Sequence, residues 1–270
     1  MTNAGRTTAP ERVPMDPLRK TALTVGVLFV LTLVFAIPGV LAYGPVLEDP
    51  RYVLGAGADF RIFLGAFFEI LVVIANIGTA MVLYPLLRRQ SESLALSYVA
   101  ARLIEGALIV IGMLSVLAVV TLRQNAAGAD SGALLVVGQS LVAIHDWTFL
   151  LGPGFMSGLG NGLLLGYLMY RSGLVPRGMA LIGIIGGPLV CVSGIAVLFG
   201  VIEAGSTWQG LATILEIVWE IGILGLYLIF KGFKRSAPLI EATAAEAELR
   251  DAAGAAAPSS IAVATKVGAA

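Results

Sequence analysis

The sequence predicts an all-α integral membrane protein, on the grounds of its composition and the lengths of its apolar runs. Of its 270 residues, 58% are hydrophobic and 13% are charged, whereas soluble domains carry about 25% charged residues. The apolar residues form runs of about 20 residues, which is the length that an α-helix needs to cross roughly 30 Å of hydrocarbon. We therefore expect a helical bundle of six transmembrane helices, with one further interfacial or half-buried helix on the outer side.

The charge and cysteine content argue against several kinds of site. The 17 Lys and Arg residues balance the 17 Asp and Glu residues, so no basic surface for nucleic acid is predicted. The single cysteine, Cys191, lies in an apolar run and has no partner for a disulfide or a cysteine-type metal site. No glycine-rich loop of the kind that cradles phosphates is present, and we predict neither a metal nor another cofactor.

Six apolar runs predict the membrane-spanning helices of one bundle, which extends over residues 21–233. The first run is too long for the core of a signal peptide and is followed by further runs, so we interpret it as a retained helix. The six predicted spans are residues 21–42, 61–86, 97–122, 154–170, 179–200 and 208–231.

Both ends of the chain lack the large apolar residues that a packed domain needs. We expect residues 1–20 and the alanine-rich residues 234–270 to be disordered, because neither segment can bury enough apolar surface. The charged residues between positions 241 and 251 are compatible with a brief surface helix inside that tail. No extramembrane domain is predicted at either end.

The distribution of basic residues between the loops predicts the orientation, because Lys and Arg are retained on the cytoplasmic side. One set of loops holds mostly basic residues: Arg12, Arg19, Lys20, Arg88, Arg89, Arg171, Arg177, Lys231, Lys234 and Arg235. The alternate set holds mostly acidic ones: Glu48, Asp49, Arg51, Asp59, Arg61, Arg123, Asp130 and Glu203. We therefore expect a multi-pass protein of the inner or plasma membrane with both termini in the cytoplasm.

The stretch AIHDWTFLLGPG, residues 143–154, contains the only histidine of the chain. A full crossing by residues 132–151 would reverse the charge pattern of every later loop, so we interpret them as a half-buried helix on the outer side. Gly152-Pro153-Gly154 should end that helix, since proline removes a donor; the alternative is one long kinked helix. His145, Asp146 and Trp147 form a candidate outer-side site, with Trp147 in the interfacial aromatic belt.

Four glycines spaced four residues apart predict a close contact between helices in the fourth span. They are Gly154, Gly158, Gly162 and Gly166, and such a stripe lets two helix backbones approach closely in lipid. We expect packing within the chain. A seam between two copies of the chain and a groove for a ligand are the alternatives.

Five ionisable residues lie inside the predicted spans, where each charged side chain costs roughly 2.5–3.5 kcal/mol at the helix centre. They are Glu69, Arg102, Glu105, Glu216 and Glu220. Arg102 and Glu105 share a helix face at a spacing of three, as do Glu216 and Glu220 at a spacing of four. Carboxylates outnumber cations in this set, so Arg102 cannot neutralise all of them.

Two functions are compatible with these residues. In the first, they line a polar path for a small solute, a proton or a cation through the lipid bilayer. In the second, Arg102 and its carboxylates form a structural clamp in a non-catalytic partner or sensor protein. An enzyme is disfavoured, because one histidine cannot build a zinc site and no Gly-x-Ser-x-Gly turn is present.

Several of these stretches together resemble a bacterial membrane family known as domain of unknown function 4386. The similarity lies in VLYPLLRRQSESLALSYVAARLIEGALIVIG (82–112), HDWTFLLG (145–152) and YLMYRSGLVPRGMALIGIIGG (167–187). His145 stands where the family pattern leads us to expect arginine. The resemblance implies a bacterial polytopic protein of the inner or plasma membrane, and it implies no particular activity.

Overall fold

The computed structural model describes residues 15–55 and 57–256, which form seven helices joined by short loops. No strand occurs in these ranges. The helices are α1 (Pro17–Glu48), α2 (Asp59–Leu87), α3 (Glu92–Gln124), α4 (Ser131–Ser172), α5 (Arg177–Leu198), α6 (Thr207–Phe230) and α7 (Pro238–Ala256).

Helices α1 to α6 are each long and apolar enough to cross a membrane, which confirms the predicted multi-pass helical bundle. Every helix of this set packs against the next in sequence, and α6 returns to pack against α1. The six helices therefore form a closed ring. Side chains that point into the ring are shielded from lipid by protein.

The course of α4 differs from the helix that we expected to end at Gly152-Pro153-Gly154. The helix continues through this sequence as π-helical turns over Leu150–Met156 and again over Gly158–Leu165. Proline is tolerated inside membrane helices where neighbouring groups and local adjustments such as π-helical turns satisfy the freed backbone groups, and Pro38, Pro85 and Pro188 likewise lie inside continuous helices of this chain. The expectation of a break was wrong, and the alternative of one long helix holds.

Helix α4 is longer than a single crossing of the hydrocarbon requires. Its 42 residues extend about 63 Å at 1.5 Å per residue, roughly twice the thickness of the hydrocarbon. The N-terminal part, Ser131–Phe149, packs along α3. One continuous helix thus contains both the apolar segment 132–151 and the fourth predicted span.

Both ends of the described chain lie at the same end of the bundle. Arg19 at the start of α1 donates to the carbonyl oxygen of Leu228 at 2.8 Å and also to that of Ile229. Arg235 lies 3.1 Å from Asp16. The two ends of the bundle are called here the terminal end, which carries these residues, and the loop end, which carries Glu48 and Thr207. That the terminal end faces the cytoplasm stays a prediction.

The segment after Phe233 contains α7 (Pro238–Ala256), which covers the charged residues between positions 241 and 251 that are compatible with a brief surface helix. Ala237 and Leu239 are buried in an apolar core that also contains Leu174 and Phe233. The N–H of Lys234 donates to the carbonyl of Leu174 at 2.9 Å. The start of the tail is therefore anchored to the bundle. Residues 1–14 and 257–270 lie outside the described residues, so their predicted disorder is untested.

The glycine stripe of α4 packs against α5 inside the chain. A Cβ atom added to Gly162 would lie 2.3 Å from the Cα of Gly187, and one added to Gly158 would lie 2.8 Å from the carbonyl oxygen of Gly187. One added to Gly166 would lie 3.0 Å from the backbone nitrogen of Ile184. Gly154 lies outside this seam, because a Cβ there would meet only the carbonyl of Phe149, at 3.6 Å.

We predict that Gly162→Ala destabilises the fold by about 1–3 kcal/mol, the usual cost of forcing extra atoms into a packed interior. The backbone of α5 would have to move away, since no flexible side chain can yield at Gly187. Gly154→Ala is the matched control in the same stripe and should be neutral or slightly stabilising, because alanine favours helix. The melting temperature (Tm) of each variant is measured by thermal unfolding in detergent. Equal Tm values for the two variants would contradict the close contact between α4 and α5 at Gly162.

Candidate functional site

A buried hydrogen-bonded group joins α2 and α3 near the middle of the ring. Arg102 is 1% exposed and donates from Nη1 to Glu105 Oε2 at 2.7 Å. Its Nη2 donates to Asn76 Oδ1, and Asn76 Nδ2 donates to Glu105 Oε1 at 3.0 Å. Each of the three side chains thus contacts the other two. We call this group the Arg102 clamp.

Helix α6 adds a carboxylate to the clamp. Glu220 Oε1 lies 3.7 Å from Arg102 Nη2, so the guanidinium faces carboxylates on both α3 and α6. Glu220 belongs to a π-helical segment, Val218–Gly225. Since charge pairs in a low-dielectric interior interact more strongly than at a surface, Arg102 holds α2, α3 and α6 around one centre.

Glu216 is buried apart from the clamp, at the seam between α4 and α5. A Cβ atom added to Gly162 would lie 2.8 Å from its Oε2, and one added to Gly186 would lie 3.3 Å from it. Within the described part of the chain, neither carboxylate oxygen has a hydrogen-bond partner. The two glutamates that the sequence places on one helix face therefore occupy different surroundings.

Asn161 connects the clamp region to α4. Its side-chain oxygen accepts a hydrogen bond from the Tyr98 hydroxyl at 3.1 Å, and its carbonyl accepts one from Trp219 Nε1 at 3.1 Å. All three residues are fully buried. These bonds hold α3, α4 and α6 together on the side of the clamp that faces the terminal end.

A second polar group lies closer to the loop end. The Tyr43 hydroxyl of α1 donates to Glu69 Oε2 of α2 at 2.9 Å. The edge of the Tyr43 ring meets His145 of α4, with ring centroids 5.9 Å apart, and His145 stacks on Phe149. Glu69 therefore has a neutral partner, and His145 is part of the bundle interior.

The candidate outer-side site does not come together as one group. The His145 side chain is 8% exposed, whereas that of Asp146 is 68% exposed, and Trp147 is 47% exposed as a residue. Consecutive residues of a helix point in directions about 100° apart, which separates the three. His145 Nδ1 lies 3.6 Å from Asp146 Oδ1, too far for a hydrogen bond.

A cavity of about 230 Å³ lies inside the ring, between these two polar groups. Its charged and amide lining consists of Glu69, Asn76, Glu105 and Glu220, supplemented by Gln209 near the rim. The hydroxyl groups of Thr32, Ser157 and Thr213 also line it. Apolar side chains from α1, α2, α3, α4 and α6 complete the wall, among them Leu33, Val40, Val72, Ile109, Phe149, Leu150, Ile217 and Ile221.

Three of the five predicted ionisable residues line the cavity, and the other two do not. Glu69, Glu105 and Glu220 line it, while Arg102 lies behind Asn76 and Glu105, and Glu216 is separate. Sequence reasoning missed Asn76, although an amide inside an apolar run is itself a signal. It also missed Tyr43, whose role depends on a contact between helices that no spacing reveals.

A polar latch at the loop end fixes the loop between α1 and α2. Arg123 of α3 pairs with Asp59 and lies over the ring of Tyr52, 5.5 Å from its centroid. The Tyr52 hydroxyl donates to Asp59 at 3.0 Å. Burial, followed by this hydrogen bond to Asp59, raises the pKa of Tyr52 to about 12. The phenol is therefore protonated, and remains a donor, at neutral pH.

The closed ring of six apolar helices around a buried Arg–Glu–Asn group defines a polytopic membrane protein with a polar interior. Within that class, the chain belongs to the family described as a domain of unknown function, DUF4386, whose model matches residues 24–232. The match extends from α1 to the loop after α6 and includes every residue that lines the cavity. No curated protein matches the chain, and no solved structure matches it.

We predict that Arg102→Met lowers the free energy of unfolding by about 3–5 kcal/mol, because it leaves Glu105 buried without its counter-charge. Glu105→Gln in the same chain should restore part of that loss, since an uncharged amide can still bond to Asn76. The free energies of unfolding of the two single variants and the double variant, measured in detergent, give the coupling energy between Arg102 and Glu105. Strictly additive losses would show that Arg102 and Glu105 do not act as a pair.

Proposed function

We propose that this protein transports or admits a small positively charged solute, with a proton or an inorganic cation as the smallest cases. The observation that carries the proposal is the cavity lined by Glu69, Glu105 and Glu220. Among the described residues, Arg102 is the one buried Lys or Arg side chain, and it lies near Glu105 and Glu220. An excess of negative groups in a membrane interior favours a cationic occupant, because ionisable side chains at such depth are costly and mark solute or proton pathways.

The cavity lies deep in the bundle, and this depth favours movement of a solute across the membrane rather than binding at the membrane surface. Glu220 lies about 20 Å from the start of α6 at Thr207, at 1.5 Å per residue. The rim includes Val40 and Gln209 near the loop end. A solute could therefore reach the middle of the bundle from one side.

The opposite side of the cavity is closed by apolar packing. Toward the terminal end the ring is filled by fully buried side chains, including Phe29, Leu83, Leu165 and Leu228. Toward the loop end, a second buried apolar cluster that includes Val46, Ile62 and Val116 fills the space among α1, α2, α3 and α4. Transport by alternating access would need each of these two clusters to loosen in turn, since a transporter exposes its site to one side at a time.

The second candidate function is a non-catalytic partner or sensor in which the polar residues serve only to hold helices together. The Arg102 clamp favours it, because Arg102, Glu105 and Asn76 bond to one another without a ligand, although Arg102 Nε has no hydrogen-bond partner among the described residues. Glu69 is compatible with this second function too, since its bond to Tyr43 joins α1 to α2, although Glu69 also lines the cavity. The two candidate functions differ in whether replacing the cavity carboxylates changes the flux of a cation across the membrane.

We predict that Glu69→Gln and Glu220→Gln each reduce uptake of methylammonium into proteoliposomes by about tenfold, equivalent to about 1.4 kcal/mol of lost interaction. Glu216→Gln is the matched control, since it removes a buried carboxylate one helical turn from Glu220 but outside the cavity. Proton flux is measured in the same vesicles with a pH-sensitive dye. Wild-type uptake of both ions in the Glu69 and Glu220 variants would favour the structural clamp.

A further inference from the structure

The cavity is lined by both α1 and α6 at a level where these two helices make little contact with each other. The contacts that close the ring involve α1 and the second half of α6, residues 218–230, while α1 makes at most minor contact with residues 207–217. Cavity-lining residues of α1 (Thr32, Ala36) face cavity-lining residues of α6 (Thr213, Ile217) across this gap. The two helices therefore diverge toward the loop end and leave a cleft.

The sequence accounts for where the cleft begins. Gly26 lets the two helices touch near the terminal end, because a Cβ atom there would lie 2.7 Å from the carbonyl oxygen of Gly225. Twelve residues later Pro38 lies inside the continuous helix α1, where a proline removes one backbone hydrogen bond. The two helices are in close contact near the terminal end and make at most minor contact near the loop end.

The mouth of the cleft is apolar and faces the outer surface of the ring. Val40 is 42% exposed, Ile217 38% and Phe149 44%, and all three line the cavity. In a bilayer these surfaces of the helices contact lipid chains. The interior end of the same space holds Glu105 and Glu220. Polarity therefore rises from the mouth of the cleft to its floor.

We propose that the cleft is a lateral entrance for an amphipathic amine, an alkyl chain with a single positively charged amino group, that reaches the cavity from the bilayer. This inference rests on the proposed function and names its substrate class. The amino group binds among the carboxylates, and the alkyl chain lies between α1 and α6. A cavity of about 230 Å³ is smaller than the roughly 300–1,000 Å³ of sites that enclose a whole ligand, so it holds the head group and leaves the chain in the cleft.

Charge complementarity selects the amine over other amphipathic molecules. An anionic head group would meet three carboxylates, with the guanidinium of Arg102 already occupied by Glu105 and Asn76. A neutral head group would leave the carboxylates without a counter-charge. Thr32 and Thr213 provide hydroxyl groups along the route from the mouth to the floor.

The test measures binding of dodecylamine, butylamine and dodecanoate to the full chain in nanodiscs by calorimetry, with empty nanodiscs as the background. We expect dodecylamine to bind more tightly than butylamine, and dodecanoate not to bind above background. Ala36→Trp should weaken dodecylamine binding about tenfold and weaken butylamine binding less, because only the longer alkyl chain lies in the cleft between α1 and α6. Val34→Trp is the matched control on the lipid-facing side of α1, where Val34 is 53% exposed.

A second pair of variants on the opposite wall covers the case in which Ala36→Trp does not fold. Thr213→Trp blocks the cleft from α6, and Ile214→Trp, at a position that is 58% exposed, is its control. Equal dodecylamine affinity in a blocked variant and its control overturns the lateral entrance. If butylamine still binds and loses affinity in Glu220→Gln, the carboxylate cavity survives that result. If neither amine binds above background to the wild type, both proposals fail.

Discussion

The contact between Arg102, Glu105 and Asn76 is the constraint on which the rest of the ring depends. A guanidinium in the middle of a bilayer can be kept only if its charge and its donors are matched, and here the matching groups come from its own helix and from α2. The position of Arg102 therefore dictates the register of α2 on α3. Glu220 then brings α6 to the same centre, and the cavity is the space left between these polar groups and α1.

The apolar runs were sufficient to predict the membrane-spanning helices, because the thickness of hydrocarbon sets a length that few other structures require. The same reasoning failed at Gly152-Pro153-Gly154. A proline removes one backbone hydrogen bond of a helix, but membrane helices tolerate this loss where neighbouring groups or local π-helical turns compensate, and α4 continues through Pro153 as α1 continues through Pro38. Proline and glycine alone did not reveal this local change of register.

The charged residues of the site could be predicted from the sequence, but their arrangement in space could not. Arg102 and Glu105 pair because their spacing of three on one helix guarantees proximity. Glu216 and Glu220 share a face only in a regular α-helix, and the π-helical segment that begins at Val218 turns Glu220 toward Arg102 while Glu216 remains at the α4–α5 seam. Contacts between helices, such as Tyr43 with Glu69, follow from the packing order of the ring, which a single sequence does not display.

The closure of the ring by its first and last helices has a consequence for biosynthesis. A chain that enters the membrane from its N-terminus has α1 to α5 in place before the helix that completes the ring is made. During that interval Glu220 does not yet exist, so Arg102 depends on Glu105, three residues away, and on Asn76, 26 residues away. The partners closest in sequence are also the earliest available. The nascent protein thus carries the charge of Arg102 already paired, and the side of α1 that α6 later covers stays open to lipid until α6 has been made.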